Sequence, residues 1–94
     1  MIGISLIDES NLKTNNNYVK VGYVVPNSPA QESGIFVNDI IIKVGNQDIE
    51  TASDVINQIS KNGINKKIKI LLQRKNRSIM LSVIPTDLTN LQDQ

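Results

Sequence analysis

The chain of 94 residues contains no histidine and no cysteine, and these two absences narrow its chemistry before any motif is considered. Without them no Ser/His/Asp or Cys/His nucleophilic system can be assembled, and zinc loses its commonest ligands. No catalytic residue, metal site or cofactor is therefore assigned. Disulfides are excluded as well, although a Cys-free chain suits oxidising and reducing compartments alike. Tryptophan is missing, and the aromatics are Tyr18, Tyr23 and Phe36 alone, so the core must be aliphatic. No apolar run approaches the ~20 residues of a membrane helix, which argues against membrane insertion. An excess of one charge is lacking too: ten Lys and Arg against nine Asp and Glu leave a net charge of +1. That is too little to steer nucleic acid or an anionic surface.

What is present is rich in Ile and Val, which favour strands, and the length suits a single core. Ile2-Gly3-Ile4-Ser5-Leu6-Ile7 alternates as a short strand. The polar stretch from Asp8 to Asn17 reads as a loop around Asn15-Asn16-Asn17. Val19 to Val25 forms a second strand that Pro26 ends. Ser28 as N-cap, Pro29 at the first helical position and Gly34 as the stop define a short helix. Asn38 can take the positive φ that the turn into Asp39 requires. The run Ile40-Ile41-Ile42 suggests a strand covered on both faces, and Gly45-Asn46-Gln47-Asp48 reads as a turn. Thr51 and Asp54 open a longer helix as a capping box. Ala52, Val55, Ile56 and Ile59 recur along it at helical spacing, and Asn62-Gly63 closes it. Ile68, Ile70 and Leu72, then Ile79, Leu81 and Val83, alternate on the two arms of a final hairpin. Lys75-Asn76 would be its turn, with Asn76 at positive φ. Pro85 ends the last strand, which gives a domain over residues 1–86 and a polar tail over 87–94. The connections are too short for βαβ crossovers. The expected fold is mainly β with two helices (α+β): a strongly bent antiparallel sheet or partly open barrel, capped by one short and one longer helix.

Several separated motifs then fall in a familiar order. Val24-Val25-Pro26-Asn27-Ser28-Pro29-Ala30, Ser33-Gly34-Ile35, Asn38-Asp39-Ile40-Ile41 and Val44-Gly45-Asn46 resemble the central signature of bacterial PDZ domains. The resemblance spans residues 2–86. It departs from the family at Ser33, where Ala is usual, and at Asn38, where Gly is usual. Asn is the best non-glycine substitute in a left-handed turn, so the fold reading stands. Among PDZ domains, the Ile2-Gly3-Ile4 opening, the polar stretch after it and the hairpin bearing Arg74 resemble those of HtrA/Deg-type serine proteases. C-terminal processing proteases and intramembrane metalloproteases carry similar modules and are the alternative.

The resemblance implies a module that captures hydrophobic C-termini of substrate or misfolded proteins by strand addition. It implies that the amides of Ile2, Gly3 and Ile4 hold the peptide carboxylate, and that Ser5, Leu6 and Ile7 pair with the peptide backbone. Ile4, Leu6, Ala52, Ile56 and Ile59 would line the hydrophobic pocket. Read without the family, Ile4, Leu6, Ile56 and Ile59 would be plain core residues. The resemblance moves Ile2, Ile4 and Ile56 to the site and gives Ile59 both roles. Asp39 reads as a turn residue, not a catalytic acid. An apolar pocket favours Leu, Val, Ile or Phe as the last residue, each contributing about 1.5–3 kcal/mol on burial. The resulting affinity is micromolar, about −8 kcal/mol. Because the helix opens on Ala52 and not His, no side-chain bond is offered to a Ser or Thr at the third-last position.

Within the basic cluster Lys66, Lys67, Lys69, Arg74, Lys75 and Arg77, Lys67 and Lys69 alternate with Ile68 and Ile70 as a solvated face. The cluster lacks stacking aromatics, so no nucleic acid is expected as a partner. An alternative to peptide capture is a regulatory or structural spacer that docks on its own protease domain. The implied trypsin-like domain would lie N-terminal to Met1 and carry the catalytic residues. The chain opens on Met1-Ile2-Gly3 without a basic leader, as either a cytosolic protein or an excised piece of a longer one would; its start favours the second, and the resemblance implies a monomeric piece of a homo-oligomeric parent. A basic residue that assists the carboxylate in family members would then lie upstream of it. Periplasm, cell envelope or thylakoid lumen follow by family analogy.

Overall fold

The computed structural model describes residues 2–14 and 16–86. Along the chain run β1 (Ile4–Asn11), β2 (Asn16–Val24), α1 (Pro29–Ser33), β3 (Ile40–Val44), β4 (Gln47–Asp48), α2 (Ala52–Asn62), β5 (Ile68–Arg74) and β6 (Arg77–Val83). The six strands form one antiparallel sheet in the order β1-β2-β3-β5-β6, with β4 paired to β3 off that path. β1 and β6 lie at its ends, so the sheet stays open, as the mainly-β reading with two helices anticipates. Among the described residues no helix is long and apolar enough to cross a membrane.

Each helix starts and stops where its capping chemistry dictates. The Ser28 hydroxyl accepts from the Gln31 N–H at 3.3 Å, Pro29 follows it, and Gly34 ends α1 at φ 95°. A left-handed residue at that position costs glycine least, because it has no Cβ. On α2, the Thr51 hydroxyl accepts from the Asp54 N–H at 3.2 Å, and Asp54 accepts in return from the Thr51 N–H at 3.1 Å. Each box of this kind satisfies N–H groups that a bare helix end leaves unpaired. The core between sheet and helices is aliphatic: Val19, Val21, Ile41, Val44, Ile70, Leu72 and Val83 from the strands, Ala30 and Val55 from the helices.

Five details depart from the sequence reading. The region Asp8–Asn17 is mostly not a loop: β1 continues to Asn11 and β2 begins at Asn16, with Asn15 outside the described residues. This extension lacks the apolar alternation by which a strand is recognised. Polar cross-strand contacts support it instead. Glu9 accepts from the Tyr18 hydroxyl at 2.9 Å and pairs with the Lys20 ammonium at 2.9 Å. The Lys20 bond, then the Tyr18 bond, holds the Glu9 carboxyl below its ordinary range. Second, Gln47-Asp48 forms the short β4 against Val44 and Lys43, so the turn shrinks to two residues. Third, within the run Ile40-Ile41-Ile42 only Ile41 is buried, while Ile40 and Ile42 on the opposite face are half-buried. Fourth, positive φ in the final hairpin falls on Lys75 (57°) and not on Asn76. Fifth, the first strand starts at Ile4, since Gly3 at φ 84° leaves the extended region. The expected polar tail over 87–94 lies outside the described residues.

Candidate functional site

An aliphatic helix over a curled sheet must leave its apolar residues somewhere. Val55 and Ile59 of α2 go into the core, whereas Ile56 stands 62% exposed on the flank facing β1. β1 is the end strand, paired only to β2 within the sheet order, so the outer edge of its backbone lies next to that flank. Successive side chains alternate across a strand, and Ile4 and Leu6, both half-buried, turn toward α2. The result is a cavity of about 660 Å³ lined by Ile4, Leu6, Ala52, Ile56, Ile59 and Ile64, among others.

The loop at the head of β1 is tied down by its carbonyls. The Ala30 N–H donates to the Ile2 carbonyl at 2.9 Å, and the Val25 N–H donates to the Gly3 carbonyl at 2.8 Å. In a trans peptide the C=O and the N–H point in opposite directions. The N–H groups of Gly3 and Ile4 therefore point away from α1 and from Val25, the elements that hold the carbonyls. Glycine is required here on two counts. Its φ is +84°, and a Cβ would overlap that of Ser28 and sit 2.8 Å from the Ser28 hydroxyl oxygen. Backbone donors in such a turn form a concavity that suits an anion.

The far end of the groove is acidic. The Asp8 carboxylate accepts from the Ala52 N–H, at the start of α2, at 2.7 Å. Asp54 sits in the same turn, and the N–H groups of Glu50, then Thr51, hold its carboxyl below the ordinary range. α2 carries its base, Lys61, in the last turn. Both signs agree with the helix dipole.

All five residues expected in the pocket, Ile4, Leu6, Ala52, Ile56 and Ile59, line this one cavity, and Ile59 is also buried in the core. Ser5 and Ile7 alternate with them on β1 and face the other side, and both are exposed. Ile2 differs from the reading that moved it out of the core. Its side chain is 2% exposed and belongs to the core cluster, because the bond from Ala30 draws the loop onto α1. Val55, Ser60, Gly63 and Ile64 also line the cavity and were not anticipated. Ile64 lies beyond the helix stop, where periodicity no longer speaks. Asp8 was missed because it was assigned to a loop. Its parity with Ile4 and Leu6 was the available signal.

Two other features bear on the choice of site. A hollow of about 710 Å³ beside the β1–β2 hairpin is lined by Asn11, Asn16, Asn17, Tyr18 and Gln73 together with Ile40, Ile41 and Ile42. Its many amides are as well satisfied by water, so it offers little driving force. Asp39, 1% exposed, accepts from the Phe36 N–H at 2.8 Å and from Arg74 at 2.7 and 2.9 Å. Arg74 also donates to the Gly34 carbonyl at 2.7 Å and lies 4.2 Å from the Phe36 ring centroid. The residue read as a turn former thus locks the turn to the hairpin. Of the basic cluster, Lys67 and Lys69 are exposed beside buried Ile68 and Ile70, which is a solvated strand face.

Residues 1–84 match the family model described as PDZ domain. Serine protease HTRA1 of Xenopus tropicalis is 35% identical over 65 residues, which cover 69% of this chain and 14% of that protein. The Enterococcus faecalis protein named "Probable protease eep" is 32% identical over 72 residues, 77% of this chain and 17% of that protein. The chain thus spans less than a fifth of these two relatives. Among solved structures, the HtrA3 PDZ domain bound to a phage-derived ligand (FGRWV) superposes with a TM-score of 0.76 at 24% identity. The alignment covers 90% of this chain and 83% of that one.

Proposed function

The chain belongs to the PDZ domain family, and from that premise we propose that it is the peptide-capturing module of an HtrA-type protease, taking up free C-termini that end in a hydrophobic residue. The observation that carries this reading is the aliphatic cavity lying along the outer edge of a terminal strand. An extended peptide laid there gains backbone hydrogen bonds from β1 and apolar contact from α2. The amides of Gly3 and Ile4, turned outward by their anchored neighbours, are placed to receive its carboxylate, with Ile2 supplying a third from the same loop. Ser5, Leu6 and Ile7 provide the pairing edge. Ile4, Leu6, Ala52, Ile56 and Ile59 form the apolar wall along the peptide, and burying a terminal Val or Leu against it contributes about 1.5–3 kcal/mol. The ligand of the HtrA3 structure ends in valine, which agrees with such a preference. Catalysis would belong to a protease domain elsewhere in the parent protein, and an envelope compartment follows from the HtrA analogy.

A second reading has its own observation. Phe36 (59% exposed) and Val37 form an apolar corner that does not line the groove. That corner suits docking on a neighbouring domain, so the module could gate a protease as well as feed it. A module of another processing protease is the alternative, and the similarity to the Enterococcus protein named as a probable protease is compatible with it.

The test is a titration of the isotope-labelled domain with peptides ending in Val, Leu, Phe or Asp, each also in C-terminally amidated form. Amide shifts at Gly3, Ile4, Leu6 and Ile56 that disappear on amidation are the expected result. Absence of any shift at millimolar peptide would remove free-terminus capture and leave the docking corner as the working surface.

A further inference from the structure

The bond between Asp8 and α2 crosses the groove just described, and its length decides what can pass. From the Asp8 Cα to its carboxylate oxygen is at most roughly 3.6 Å by ordinary bond lengths. The oxygen lies 2.7 Å from the Ala52 nitrogen, so strand and helix backbones approach within roughly 6 Å at this point. A strand added to β1 lies about 4.8 Å from it. It then needs a further ~4 Å of van der Waals separation from the helix. That sum is about 9 Å, so no peptide backbone fits between Asp8 and Ala52 while the bond is made.

We infer that Asp8 is a clasp that closes the groove, limiting the captured peptide to about the four residues that β1 can pair between Ile4 and Ile7. The inference rests on the peptide-capture reading and adds a length rule to it. The clasp is well placed to hold. Ile4, Leu6 and Asp8 share one face of β1 by strand alternation, so the carboxylate continues the row of apolar side chains toward the helix. The N-terminal end of α2 attracts its negative charge, and a charged acceptor makes the bond stronger than a neutral pair. The neighbouring acids Glu50 and Asp54 oppose it by repulsion. Asp54 is engaged by the N–H groups of Glu50 and Thr51, which leaves the Ala52 N–H to Asp8. A longer peptide must either turn out of the groove after its fourth residue or open the clasp and give up the bond.

The experiment compares an acetylated tetrapeptide, Ala-Ala-Ala-Val, with an octapeptide carrying Ser-Ala-Ser-Ala ahead of the same four residues. Calorimetry on the wild-type domain is expected to give affinities within about twofold of each other, since the extra residues find no pairing edge. In Asp8→Ala the octapeptide is expected to bind about tenfold more tightly than the tetrapeptide, as the strand extends past position 8. Asp8→Asn, whose amide oxygen is a weaker acceptor, is expected to show about threefold and serves if the alanine variant is unstable. Unchanged tetrapeptide affinity in the variants shows that the groove is intact. An upfield move of the Ala52 amide proton without peptide reports the lost bond. A wild-type domain that already gains tenfold from the longer peptide would overturn the clasp, as would variants that keep the wild-type plateau. Failure of every free-terminus peptide to bind the wild type would instead bring down the capture reading itself.

Discussion

Helices α1 and α2 are punctuated alike, with an oxygen-bearing residue before the first turn and a glycine after the last. Their apolar residues meet different neighbours. α1 places Ala30 wholly inside, and the turn after it is fastened by Asp39, Arg74 and the Phe36 ring. α2 buries Val55 and Ile59 but holds Ile56 out over a cavity beside the end strand. One helix completes the core, and the other leaves its flank unfinished. A ligand is therefore to be sought at α2, because apolar surface with a backbone edge beside it invites an added strand.

The sharpest way to break this contrast is at the closed region. Asp39→Ala removes the acceptor for the Phe36 N–H and for the Arg74 guanidinium. It should destabilise the domain by about 3 kcal/mol in urea unfolding, because a largely enclosed charge loses its partner. A loss below half a kilocalorie would mean that Arg74 swings to water at no cost. At the open region the expectation is reversed. Ile56→Lys should leave the unfolding midpoint nearly unchanged, since the side chain is already mostly in water. It should weaken binding of a Val-ending peptide about tenfold, the loss of a partly buried aliphatic contact. Equal effects on stability and affinity would show that Ile56 belongs to the core after all.

The smallest effect concerns acid. The Asp54 carboxyl is held below its ordinary range by the Glu50 and Thr51 N–H groups, and the Glu9 carboxyl by Lys20 and Tyr18. A group whose pKa is lower folded than unfolded stabilises the fold above its unfolded value, and that support fades as pH falls through the folded value. Thermal unfolding should therefore be flat from pH 7 to about 5 and decline below the ordinary carboxyl values near 4. Loss should appear first in amide exchange at the start of α2 and in the β1–β2 extension. Exchange there that is unchanged down to pH 3 would contradict it.

Much of this was legible from the chain because it rests on local chemistry. Ser28, Pro29 and Gly34, or Thr51, Asp54 and Gly63, bound their helices with atoms a few residues apart, and the alternation of Ile68, Ile70 and Leu72 states which face is buried. The resemblance of the segments around Ser28 and Asn38 to PDZ signatures then supplied the groove, and the structure gathers its five expected lining residues in one cavity. What stayed hidden has a common cause. The β1–β2 extension, the burial of Ile2, the Asp39–Arg74 lock and the Asp8 clasp depend on partners 9 to 44 residues away in sequence. A polar residue looks the same whether it faces water or reaches across a fold.

Local signals in the chain fixed the class of molecule: an aliphatic antiparallel domain with two capped helices and neither the histidine nor the cysteine that Ser/His/Asp or thiolate chemistry needs. They did so because capping, alternation and the absence of His and Cys are properties of neighbouring residues or of composition. Long-range packing settled which apolar residues stay outside, which carbonyls anchor the Gly3 loop and how far the groove runs before Asp8 meets α2. Those outcomes depend on the distance at which β1 and α2 settle over a shared core, and that distance is set by packing from both halves of the chain at once.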